Sequence, residues 1–234
     1  MIRFVITCEH ASAKVPAAYR DAFANAGEAL ASHRGSDLGA LQFARQLARQ
    51  MQVPCIAATA TRLLADTNRS RHHRAVFSEW SAALLTTERE RILATHWQPH
   101  RDRVRAAIQQ HVARGDTVVH LGVHSFTPCF DGVERAIDVA WLYDPARPLE
   151  TRTVAAWRAA LASCAPDLRL RRNAPYRGTS DGLTTFLRTQ FAADQYLGIE
   201  LEISQSFPLG PAAAWRSLRQ QLCVSLHQSR LSVR

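Results

Sequence analysis

Apolar residues fall into short runs rich in β-branched side chains, separated by longer stretches of helical period. The runs near 2–8, 53–60, 117–123, 137–143, 168–172 and 197–204 read as strands. The stretches at about 37–51, 87–114, 150–164 and 211–228 read as helices, with a shorter helix after Ser180-Asp181-Gly182. Strands alternating with helices predict an α/β layer fold around a mostly parallel sheet. In the helix near 87, Thr87-Glu88-Arg89-Glu90 has the form of a capping box, and Val104, Ala107, Ile108 and Val112 place one face in the core. Pro99 interrupts that helix, and a kink there leaves His96, Trp97 and His100 near an irregular turn.

No Pro-, Gly- or Ser-rich stretch divides the 234 residues, so a single domain over 1–234 is expected. The five cysteines are odd in number and form no Cys-x-x-Cys pair, which argues against a disulfide framework or a cysteine zinc knuckle. The N-terminus enters a strand without a basic-then-apolar leader, and no run of about 18 apolar residues occurs. A cytoplasmic protein without a membrane partner is expected. The net charge of +9 raises nucleic acid as a partner, but its distribution argues otherwise. Only Lys14 is a lysine, the arginines run from Arg3 to Arg234, and the densest groups (Arg69 to Arg74, Arg101 to Arg105) lack interleaved aromatics.

The chemistry gathers at strand ends. His10 follows Ile2 to Cys8, and His124 follows Val118 to Val123. Open α/β sheets collect their sites at carboxyl ends, so these two imidazoles can converge. With Asp37 and Glu202 they supply the parts of a catalytic zinc site: three ligands, an open position and a carboxylate base. Each residue also has a plainer role. A lone histidine is usually structural, His120 reads as buried structure, and Asp37 is placed to cap the helix that follows it. Glu200 and Glu202 lie two apart on one strand and face the same side, so at least one of them lines a polar cavity. In Asp66-Thr67-Asn68-Arg69, the Arg69 fork suits a substrate carboxylate and Asn68 adds a donor and an acceptor; the alternative is a loop ion pair between Asp66 and an arginine. Asn173 to Gly178 also reads as a turn. Cys8 and His10 offer a rival nucleophile and base, without a third group to orient them.

The ordered set Cys8-Glu9-His10-Ala11-Ser12, Asp37-Leu38-Gly39, Asp66-Thr67-Asn68-Arg69, His124-Ser125, Asn173-Ala174-Pro175-Tyr176 and Glu202-Ile203-Ser204 resembles the N-formylglutamate amidohydrolase family, from Ile2 to about Pro208. The resemblance implies a zinc-dependent deacylase with a three-layer α/β/α core, related to the zinc carboxypeptidases and the aspartoacylase-like hydrolases. It makes His10, Asp37 and His124 the zinc ligands and Glu202 the general base. It has Asn68 and Arg69 hold the substrate's carboxylate, with Arg69 also beside the oxyanion and Asn173 and Tyr176 completing the substrate site. Family members usually carry proline before the first histidine and glycine after its serine, where this chain has Glu9 and Ala13. The metal chemistry therefore transfers better than the substrate. The expected reaction is cleavage of an N-acyl, such as N-formyl, amino acid. Two other readings remain open: a non-catalytic binding protein for an acylated amino acid or peptide end, and a zinc peptidase or cell-wall amidase.

Overall fold

The computed structural model describes residues 1–229. Its strands are β1 (Ile2–Cys8), β2 (Cys55–Ala57), β3 (Thr117–Phe126), β4 (Cys129–Phe130), β5 (Val133–Glu134), β6 (Val139–Leu142), β7 (Leu170–Arg172) and β8 (Tyr196–Ser204). Its α-helices are α1 (Gly27–Ala31), α2 (Ala40–Gln50), α3 (Glu79–Ala82), α4 (Thr86–Ile92), α5 (Gln98–Val112), α6 (Pro148–Cys164), α7 (Leu183–Arg188), α8 (Ser206–Leu209) and α9 (Ala212–Gln228). Strands β4 and β5 form a small antiparallel hairpin. The other six build one sheet in the order β2-β1-β3-β8-β6-β7, parallel at every pairing except β6 with β8. Helices cover both faces, so the α/β architecture around a mostly parallel sheet is the one read from the strand and helix pattern, with β6 against β8 making the sheet mixed.

The alternation within β3 and β8 decides where chemistry can sit. Val119, Leu121 and Val123, with Leu197, Ile199, Leu201 and Ile203, enter the large apolar core formed with α2, α6 and α9. The residues between them, His120, Gly122, His124, Gly198, Glu200 and Glu202, project to the other face because successive side chains alternate. Central parallel strands are normally apolar on both sides, so a polar face here marks a cavity. At its amino-terminal half that face is closed by α5 and α7, where Val118 and Tyr196 pack with Val104, Ile108, Leu183 and Leu187. His120 shares the face of His124 but is buried structure. Its ring nitrogens meet the Thr7 hydroxyl at 2.9 Å and the Tyr196 hydroxyl at 2.7 Å, and burial pulls its pKa down to about 4.

The helix read over 87–114 is continuous from Thr86 to Val112 but changes type along its length. α4 runs into a π-helical turn, Leu93–Trp97, before α5 begins at Gln98. The expected capping box does not form: α4 starts at Thr86 behind Leu85 with no side-chain cap, and Glu90 pairs instead with Arg71. Thr87 is thus already inside the helix, where its hydroxyl cannot reach the orphan amides. Pro99 follows that π turn by two residues in a helix whose backbone stays right-handed throughout, and the irregularity its missing N–H calls for is taken up just upstream. The irregular turn contains His96 and Trp97, and His100 follows it, buried on α5. No helix among the described residues is long and apolar enough to cross a membrane.

Candidate metal centre

Parallel register brings the strand ends together. β1 and β3 are neighbours, and His124 on β3 is the direct partner of Glu202 on β8. Asp37 arrives on the loop before α2, tied to the end of β1 by its amide, which donates to the His10 carbonyl at 2.9 Å. Gly39 has φ 79°, and a Cβ there would lie 2.7 Å from the Pro208 side chain and 3.1 Å from the Trp215 ring, so the turn needs glycine. Gly39, not Asp37, precedes the first residue of α2. The Asp37 carboxylate is therefore not used as a helix cap and turns towards the imidazoles.

His10 Nδ1 lies 3.3 Å and His124 Nδ1 3.0 Å from Asp37 Oδ2. The three buried side chains offer ligand atoms that all lie within 4.8 Å of one another. Tetrahedral zinc with bonds of about 2.0–2.1 Å spaces its ligand atoms about 3.3 Å apart, so this group is able to hold such an ion. The outer nitrogen of each imidazole also faces a carboxylate. His10 Nε2 meets Asp66 Oδ1 at 2.8 Å, and His124 Nε2 lies 3.1 Å from Glu9 Oε2, off the axis of a regular hydrogen bond. Carboxylates behind metal-ligating histidines fix tautomer and ring orientation. Arg62 joins Asp66 at 2.9 Å to Asp37 at 3.5 Å, while His100 Nε2 stands 3.4 Å behind Glu9.

Electrostatics separates the carboxylates into two kinds. Burial alone would favour neutral acids. For Asp37 that is outweighed by His10 and His124, for Asp66 by Arg62 and His10, and for Glu9 by His100 and His124; all three stay below the ordinary carboxylate range. Against burial, Asp37 and Glu9 hold the His124 imidazole well above its usual value. Glu202 behaves oppositely. Burial pushes it up to about 8 despite His124, and its buried Oε2 has no hydrogen-bond partner. Glu200 is already engaged, accepting from the Thr184 hydroxyl at 3.1 Å and from Asn68 Nδ2 at 3.5 Å. Burial, then Glu9, pushes the Cys8 thiol well up, which removes the rival thiolate nucleophile.

His10, Asp37, His124, Glu200 and Glu202 line a cavity of about 220 Å³ together with Asn68, Arg69 and Tyr176. Arg69 donates through Nη1 to the Asp181 carbonyl at 2.7 Å. Its loop is clamped from the helix side. Trp97 Nε1 donates to the Arg69 carbonyl at 3.0 Å, and Arg101, held 4.6 Å from both the Trp97 and Phe186 rings, donates to the Thr67 carbonyl at 3.1 Å. The π turn thus serves to place the Asn68-Arg69 pair. Asn173 does not line the cavity. Its Oδ1 accepts the amides of Tyr143 and Gly178, both at 3.0 Å, so it closes the turn that presents Tyr176.

Sequence reasoning missed Glu9, Arg62 and His100 and treated Asp66 only as a loop partner. For His100 a signal existed: His100, Val104 and Ile108 fall four apart on one helical stripe, which points a histidine into the core. For Arg62 there was none, because its partners are chosen by the loop's path.

A profile of the N-formylglutamate amidohydrolase family matches residues 2–207. No curated protein matches the chain. Among solved structures, gene product Atu2144 from Agrobacterium tumefaciens superposes with a TM-score of 0.82 at 27% identity, over 97% of this chain and 89% of that one. The N-formylglutamate amidohydrolase from Ralstonia eutropha JMP134 superposes with a TM-score of 0.72 at 17% identity, over 97% and 92% respectively, and shares the fold. The profile match takes in every strand end that contributes to the centre, and the chain belongs to the N-formylglutamate amidohydrolase family.

Proposed function

We propose that the protein is a zinc-dependent amidohydrolase that cleaves an N-acyl amino acid bearing a carboxylate, N-formylglutamate or a close analogue, and releases the amine. One observation carries the reading: His10, Asp37 and His124 converge within 4.8 Å, and the cavity they line also holds Glu202, whose buried carboxyl oxygen lacks a partner. Two imidazoles and a carboxylate are a donor set suited to catalytic zinc. When bound, the ion would supply Lewis acidity towards the acyl oxygen and the attacking water. Glu202 takes the proton from that water and returns it to the departing amine. A carboxyl raised by burial to about 8 is matched to taking and returning a proton near neutral pH. Arg69 commits one nitrogen to Asp181 and keeps the rest of its fork for the substrate's carboxylate. Asn68, braced by the Leu183 amide on its Oδ1 at 2.8 Å, turns its Nδ2 into the cavity.

The direct test is metal analysis of the purified protein with a screen of N-acyl amino acids for released amine. About one equivalent of zinc and turnover of an acidic N-formyl compound are expected; a protein that binds zinc and such compounds without releasing amine is a binding module. His10→Ala and His124→Ala should each lose most of the metal, and full retention in both would place the site elsewhere.

Glu9 stands behind His124, and removing an outer carboxylate of this kind typically costs about 10- to 100-fold in metal affinity. Glu9→Gln should show that loss in chelator competition; unchanged affinity would reduce Glu9 to a packing residue. For Arg69, lysine keeps the charge but not the planar fork. Arg69→Lys and Arg69→Ala should lower kcat/KM for the acidic substrate by similar factors, while a neutral amide analogue is turned over poorly by all forms. A further equal loss on the neutral analogue would assign Arg69 to the oxyanion or the fold.

A further inference from the structure

A second cavity adjoins the first. It measures about 540 Å³, and the two share Arg62, Arg69 and Tyr176 in their walls. Their charge is opposite in sense. The inner wall carries four carboxylates against three guanidiniums, whereas the outer carries four guanidiniums against two carboxylates. Of the outer four, Arg62 is paired with Asp66 and Arg34 with Glu79, and Arg69 is tethered to Asp181. Arg74 is exposed and has no ion-pair partner among the described residues. Phe77 and Phe130 give this cavity apolar wall as well. Phe130 lies on the β4–β5 hairpin, which Arg135 links to Tyr176 by stacking 4.7 Å from the Phe130 ring and 5.3 Å from the Tyr176 ring.

Arg69 fixes the direction. As the holder of the amino acid's carboxylate it stands on the leaving-amine side of the scissile bond, and it lines both cavities. The outer space therefore continues the amine, not the acyl group. We infer that the preferred substrate is extended there: an N-acylated acidic dipeptide whose first residue keeps its side-chain carboxylate on Arg69 and whose second anionic group meets Arg74 in the outer cavity. This rests on the amidohydrolase reading for the position of the bond but not for the outer site itself.

The experiment compares N-formylglutamate, N-formylglutamylglutamate, the same dipeptide with its second residue's carboxyls amidated, and N-hexanoylglutamate, on wild type and Arg74→Glu. The acidic dipeptide should exceed N-formylglutamate in kcat/KM by about fivefold or more, the scale of one exposed ion pair together with added contact. Arg74→Glu should abolish that advantage while changing N-formylglutamate by less than about twofold, and added salt should shrink it in wild type. No advantage, an advantage that survives Arg74→Glu, or a gain only from the longer acyl chain would overturn the inference. If no compound releases amine, the hydrolase reading fails, and calorimetry still decides on the outer site. Glutamylglutamate binding more tightly than glutamate to wild type but not to Arg74→Glu supports it; equal binding ends it.

Discussion

Glu202→Gln is expected to lower kcat by about 10²- to 10⁴-fold without reducing zinc content, the usual worth of a positioned base. The substitution keeps shape and removes basicity. Glu202 is 5% exposed, its Oε2 is unpartnered, and its side chain shares the cavity with the three proposed ligands without being one of them. Steady-state rates and metal content measured on the same preparation separate the two effects. Glu200→Gln serves as the comparison, because Glu200 braces Thr184 and Asn68 and should act on KM through the substrate loop more than on kcat. Were Glu200→Gln the inactive form and Glu202→Gln the active one, the base would be reassigned.

The largest loss of stability is expected at Glu150, which is completely buried in the first turn of α6. Its Oε1 accepts Arg188 Nε and the Gly198 amide, each at 3.0 Å; its Oε2 accepts Arg188 Nη2 at 3.0 Å and the Asp144 amide at 2.8 Å. Arg188 in turn donates to the Gly178 and Gly198 carbonyls, both at 2.6 Å, so one ion pair ties α6, α7 and β8 together. Removing one partner of such a pair leaves an uncompensated buried charge and typically costs about 3–5 kcal/mol. For a chain of this length that corresponds to a fall in Tm of about 6–20 °C for Glu150→Gln. The paired replacement Glu150→Leu with Arg188→Met should recover part of the loss, because no lone charge remains. A fall in Tm of under about 2 °C would show that water reaches Arg188.

Most of the sheet was legible along the chain. The runs at 2–8 and 197–204 match β1 and β8 within a residue, because a strand buried among helices needs consecutive apolar positions whatever its neighbours are. The same logic made His10, His124 and Glu202 stand out as polar residues at the ends of such runs, and put Glu200 and Glu202 on one side. The helix start at Thr87 was not legible, since a capping pattern one residue inside the helix looks the same as one at its edge.

Local pattern could not choose between Glu200 and Glu202, because both satisfy the same alternation. What distinguishes them in the structure is that Thr184 and Asn68 reach Glu200 from 16 and 132 residues away. Nor could it reveal the second circle of charges. Glu9 meets a histidine 91 residues on, and Asp66 meets one 56 residues back. Arg62 bridges two acids whose nearness depends on how the loop before α2 docks on β1. The sequence by itself determined which segments form the sheet and which residues stand at its carboxyl edge, because period and burial are local properties. The tertiary structure decided which carboxylate is left without a partner and which imidazole nitrogens converge, because partnership depends on strand order, register and loop path.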